Sequence, residues 1–142
     1  MVRSSDSLEI ELARVLRVDD DPASRLTLKT VLQAGGYHVD AAASAAEAFG
    51  KLDDCEYELV LSDLQMESPE AGLKVLAHAR MKNYKPATAI VTTYRSKATE
   101  NGKVSVLIES EDVPELLSKV AGMISDRARR RVNRELKLAG IG

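Results

Sequence analysis

Four aspartates stand where short apolar runs stop. Asp19, Asp20 and Asp21 follow Val15, Leu16 and Val18, while Asp63 follows Leu59, Val60, Leu61 and Ser62; Thr92 ends a third run, Ala89 to Val91. Carboxylates gathered from separate segments repel one another, which raises their pKa values or invites a divalent cation. Hard oxygen donors suit Mg²⁺, which binds through one or two carboxylates, keeps waters and accepts phosphate oxygens as further ligands. Zinc is not expected, because Cys55, His38 and His78 are the whole supply of soft or imidazole donors. A carboxylate can also attack phosphorus to form an aspartyl phosphate where a cation neutralises charge on the equatorial oxygens. Asp63 is the acceptor this reasoning selects, with Asp19 and Asp20 holding the metal and the Thr92 hydroxyl hydrogen-bonding a phosphoryl oxygen. Taken alone, the acid triplet is equally well a solvated turn in which Asp21 caps a helix; joined with Asp63, metal binding is favoured.

These groups can act together only if the chain gathers them, and its pattern does so. Val15 to Val18 predicts a strand and Asp21-Pro22 a helix start, with Leu26, Leu28, Val31 and Leu32 apolar before Gly35 and Gly36 end it. Val39 to Ala43 predicts a second strand, and Ser44 with Glu47 a capping box opening a helix through Leu52. A third strand, Leu59 to Asp63, precedes a helix carrying Leu73, Val75 and Leu76. Ala89 to Val91 and Val104 to Ile108 predict strands four and five. Between these last two, residues 96–102 have room for one or two turns at most, so a fourth helix is expected to be short or missing. Asp112, Pro114 and Glu115 open a last helix that presents Leu116, Leu117, Val120, Ala121 and Ile124 to the core. Apolar strands alternating with helices indicate an α/β fold with a parallel sheet covered on both faces. In such sheets ligands bind beyond the carboxyl ends of the strands, where the acids lie.

At these residues the chain resembles the response-regulator receiver family, over roughly residues 14–124. The likeness rests on Arg-Val-Asp-Asp-Asp-Pro, on Leu-Val-Leu-Ser-Asp-Leu-Gln-Met with Gly72 beyond, and on Ile-Val-Thr-Thr-Tyr. It implies a flavodoxin-like doubly wound sheet of five parallel strands in the order 2-1-3-4-5. It implies phosphotransfer to Asp63 from a histidine kinase, a phosphotransfer protein or a small phosphodonor. It further implies Mg²⁺ held directly by Asp20, through water by Asp19, and through the backbone carbonyl of Gln65. Departures fall later in the chain. Glu109 stands where the family carries a lysine that pairs with the phosphoryl group, Ser110 where proline follows, and Val106 where an aromatic switch residue is usual. The segment 67–71 carries an apparent one-residue insertion. Lys103, Arg95 or Lys97 could supply the cation instead. Two other readings stand beside the phosphoacceptor: a phosphorylation-independent pseudo-receiver serving as an interaction module, and, less favoured, a Mg²⁺-dependent phosphatase suggested by the Asp-x-Asp spacing at Asp19 and Asp21. A receiver would be a signalling module that catalyses at most its own phosphorylation and dephosphorylation.

The remaining features bound the function rather than define it. At 142 residues, with 30% charged residues and a net charge of −2, the chain has length for one core and no overall electrostatic case for nucleic acid or anionic membrane. Segment 1–11 places Ser4, Ser5 and Asp6 where a signal peptide needs an apolar core, so a cytoplasmic location is expected. The expected organisation is an N-terminal extension (1–13), a receiver unit (14–125) and a basic helical extension (126–142). In that extension Arg127, Arg129, Arg130, Arg131, Arg134 and Lys137 read as a solvated face complementing the helix dipole. Ile124, Ala128, Val132 and Leu136, spaced by four, could instead pack on a partner or a second copy as a homodimer helix. Arg17 interrupts a strand that should be buried, and alternation sets it on the face of Asp19, which predicts a structural salt bridge between them.

Overall fold

The computed structural model describes residues 13–64, 66–68, 70–92, 105–108 and 111–140. Five strands, β1 (Arg14–Val18), β2 (His38–Ala42), β3 (Leu59–Asp63), β4 (Ala87–Thr92) and β5 (Val106–Ile108), form one sheet. All neighbouring pairs are parallel and their order is β2-β1-β3-β4-β5. Four helices are described: α1 (Pro22–Ala34), α2 (Ala45–Asp54), α3 (Ala71–Arg80) and α4 (Val113–Leu138). The doubly wound, flavodoxin-like arrangement expected from the alternating pattern is therefore present. The segment read for a short or missing fourth helix (96–102) and residues 1–12 of the N-terminal extension (1–13) lie outside the described residues, as do Gln65, Arg95, Lys97, Lys103, Val104, Glu109 and Ser110.

Alternation along each strand builds two separate cores. Val15, Val39, Leu59, Leu61, Ala89, Val91 and Leu107 pack against Leu28 and Leu32 of α1 and Leu116 and Val120 of α4. Leu16, Val18, Val60 and Ile90 turn the other way, against Ala48 and Leu52 of α2 and Val75, Leu76 and Ala79 of α3. Because both faces are covered, the strands carry apolar residues at nearly every position.

The helix starts follow the side chains that cap them. Asp21 accepts from the backbone N–H of Ser24 at 3.0 Å, Ser44 Oγ from that of Glu47 at 3.1 Å, and Asp112 from that of Glu115 at 3.1 Å. Glu47 in turn reaches back past the cap and accepts from the Ala43 N–H at 2.8 Å, one residue before the Ser44 N–H that a capping box would use. One core expectation needs correction: Ala121 is exposed on α4. Leu26 and Leu73, apolar positions of α1 and α3, are exposed at 63% and 47%. Helical spacing alone does not say how wide the buried stripe is.

α4 runs for 26 residues, about 39 Å at 1.5 Å per residue. Its second half leaves the sheet, and Val132 and Leu136 are exposed there. Arg127 breaks the expected solvated row. It is buried, and its Nε and Nη2 donate to the carbonyls of Lys85 at 3.0 Å and Tyr84 at 2.7 Å. Those carbonyls belong to the turn before β4, where Lys85 adopts a left-handed φ of 46°. A guanidinium that ties down a strained turn is an anchor, and burial lowers its pKa below the usual arginine value.

Candidate functional site at the carboxyl edge of the sheet

Strand register brings the acids to one edge. Val18 is level with Ser62, so one further step along β1 sets Asp19 level with Asp63, which is itself level with Val91 of β4. Pairing continues past the strand ends: Asp19 N–H donates to Ala42 O at 3.0 Å and Leu64 N–H to Val91 O at 3.2 Å. Thr92 lies one residue beyond Val91, buried, and level with Ile108. Its position in the pleat is that of Ile90, so it closes the edge from the α2/α3 side while Asp63 belongs to the α1/α4 side.

The three metal-site aspartates have different surroundings. Asp19 is buried at 2% exposure, Asp63 is half-buried, and Asp20 is exposed. Asp19 is a partnered acid. Its Oδ2 accepts from Arg17 Nη2 at 2.7 Å, its Oδ1 from the Asp21 N–H at 3.0 Å, and its carbonyl from Arg25 Nη1 at 2.9 Å. The salt bridge read from strand alternation is thus formed, with Arg17 fully buried. Arg25 was missed by sequence reasoning. Its target is a backbone carbonyl six residues back, which leaves no side-chain pattern to find.

Asp63 is positioned from behind. Ser62 is buried and its Oγ donates to the Asp63 carbonyl at 3.3 Å. Gly72, in the first turn of α3, lies so close that a Cβ there would meet the Asp63 carbonyl oxygen at 2.5 Å. Only glycine lets α3 approach β3 this closely. The loop between them also reaches sideways: Glu67 Oε2 accepts from the Ala45 N–H at 3.0 Å, capping α2. Gln65, expected to offer its carbonyl, falls outside the described residues.

Among the described residues no group of three His, Cys, Asp or Glu side chains is gathered closely enough to hold a metal. A site of one or two carboxylates with water and backbone oxygen remains open to Asp20 and Asp63, the donor set that suits Mg²⁺. The imidazoles are engaged elsewhere, His38 beside Arg14 and Asp40 and His78 with Asp53 at 2.8 Å. A cavity of about 520 Å³ lies away from these acids, lined by Arg80, Lys85, Thr88, Ser105, Arg130 and Arg134. It holds none of the edge carboxylates.

Residues 15–121 match the response regulator receiver domain family. The chain belongs to that family. The receiver fold is shared with response regulator protein TrrA from Thermotoga maritima, at 29% identity and a TM-score of 0.67 over 80% of this chain and 99% of that one, a structure in complex with Mg²⁺-BeF. Chemotaxis response regulator CheY4 of Vibrio cholerae matches at 27% identity and a TM-score of 0.67, over 78% of this chain and 98% of that one. Among longer relatives, the gliding motility regulatory protein of Myxococcus xanthus is 42% identical over 53 residues, 37% of this chain and 7% of that protein. The transcriptional regulatory protein ZraR of Klebsiella oxytoca is 29% identical over 111 residues, 75% of this chain and 25% of that protein. The receiver therefore spans a quarter or less of these two curated relatives. No helix among the described residues is long and apolar enough to cross a membrane.

Proposed function

We propose that this receiver accepts a phosphoryl group on Asp63 from a histidine kinase or phosphotransfer protein, and passes the signal to a downstream protein partner in the cytoplasm. The observation that carries the reading is the placement of Asp63: half-buried at the end of β3, level with Asp19, and pressed from behind by Gly72. Its carboxylate supplies the nucleophile. Asp20 and Asp63, with the Gln65 carbonyl, would hold Mg²⁺, and Asp19 would reach it through water. When bound, the ion neutralises charge on the transferred phosphoryl group. The Thr92 hydroxyl, buried at the same edge, would hydrogen-bond a phosphoryl oxygen. The Mg²⁺-BeF complex of TrrA supports the same donor chemistry here. We take residues 14–125 as the signalling unit and 126–142 as its helical extension.

Intact mass after incubation with acetyl phosphate and MgCl₂, for wild type and Asp63→Ala, tests the proposal. A phosphoryl increment confined to wild type is expected. An increment in both, or in neither, sinks it. The second outcome would favour a pseudo-receiver, a reading supported by the salt bridge that already holds Asp19.

A further inference from the structure

Arg17 is the one fully buried charged side chain among the described residues, at 0% exposure, one residue before the end of a strand covered on both faces. A buried guanidinium is strongly unfavourable without compensation, and removing one member of a buried pair exposes that cost. Here the compensation points at the acid edge. Nη2 donates to Asp19 Oδ2 at 2.7 Å and lies 3.5 Å from Ser24 Oγ, while Nη1 donates to the Val18 carbonyl at 3.3 Å. These acceptors lie toward the carboxyl end of β1, so the guanidinium is turned to the edge that carries Asp19, Asp20, Asp21 and Asp63. Register sets Arg17 level with Leu61, two residues before Asp63 on the same face. Arg25 adds a second cation, at the Asp19 carbonyl.

We propose that Arg17 is the resident counter-cation of the acid site. It cancels the charge of Asp19 in the resting molecule, so the resting geometry of the β1–α1 loop does not require a divalent ion. Mg²⁺ then binds more weakly than it would to the same acids without Arg17. The identity of the ion rests on the proposed function; the pairing of Arg17 with Asp19 does not.

The test compares wild type, Arg17→Met and Arg17→Met/Asp19→Asn by thermal unfolding with and without MgCl₂ at matched ionic strength, and by calorimetric titration with MgCl₂. Removing a unit charge several ångströms from a divalent ion predicts affinity on the order of tenfold tighter in Arg17→Met. At a MgCl₂ concentration equal to the wild-type Kd, that difference makes the Mg²⁺-induced stabilisation about 3.5-fold larger in the variant. Arg17→Met is expected to unfold earlier than wild type without Mg²⁺ and to recover with it; if it does not fold alone, Mg²⁺-induced folding gives the same reading. The double variant, which has neither charge, is expected to fold without Mg²⁺ and to show no enhanced response. Equal Mg²⁺ affinity in wild type and Arg17→Met overturns the proposal. So does a double variant as unstable as Arg17→Met, because Arg17 would then act through packing. Failure of phosphoryl transfer to Asp63 would be seen in the acetyl phosphate experiment and would leave these comparisons readable.

Discussion

Alanine at position 72 sets two known effects against each other at the back of the acceptor. In an open helix position, Gly→Ala stabilises by up to about 1 kcal/mol, because glycine loses the most backbone freedom on folding. At Gly72 the new Cβ would stand 2.5 Å from the Asp63 carbonyl oxygen and 3.3 Å from Ser62 Oγ. The nearest atom is backbone in the sheet and cannot rotate away. Reaching ordinary contact at 3.4 Å requires α3 and β3 to separate by about 0.9 Å, in a core where overpacking costs about 1–3 kcal/mol. The clash outweighs the propensity gain, and Gly72→Ala is expected to be about 1 kcal/mol less stable than wild type by urea unfolding. A shift approaching 1 Å at the nucleophile is expected to slow phosphorylation by acetyl phosphate about 10- to 100-fold, followed by intact mass over time. Gly50 and Gly122 are the controls. They lie in α2 and α4, where an added Cβ would meet nothing within 4 Å, so alanine there should stabilise by about 0.5–1 kcal/mol and leave phosphorylation unchanged. A Gly72→Ala protein as stable as the Gly50→Ala control, with undiminished phosphorylation, would refute the claim that close approach of α3 positions Asp63.

Three further outcomes are expected. Arg127→Met keeps the bulk but removes two charge-assisted hydrogen bonds to the Tyr84 and Lys85 carbonyls, and should cost about 2–4 kcal/mol in urea unfolding; a cost below about 0.5 kcal/mol would mean the turn holds itself. Burial pushes Asp40 up, but the Tyr57 hydroxyl at 2.7 Å and the charges of His38, Arg14 and Lys51 outweigh it, so its carboxyl titrates below the usual range. Its contribution is therefore present above the ordinary carboxylate value of about 3.9 and is lost as pH falls through the lower folded-state value. The stability gap between wild type and Asp40→Asn should narrow between about pH 4 and pH 2, and a gap that widens on acidification would contradict this sign. Glu67→Ala removes the cap on the Ala45 N–H and is expected to cost about 0.5–1 kcal/mol at neutral pH, read from the same unfolding curves.

Much of this molecule was legible in its residue order because the relevant physics is local. Caps at Asp21, Ser44 and Asp112 act within three residues, and apolar runs with short helical spacings require a parallel sheet covered on both faces. Even the Arg17–Asp19 pair follows from alternation, since residues two apart on a strand share a face. Contacts across tens of residues were different. That Gly72 must touch the Asp63 carbonyl, that Glu67 caps α2, and that Arg127 leaves the basic row to hold the turn at Lys85 all depend on how elements pack, which no spacing encodes. The residue types along the chain determined that carboxylates would collect at one edge of a parallel sheet; only the tertiary structure decided which of them is buried and neutralised and which face solvent, because burial and charge pairing are set by the neighbours that folding supplies.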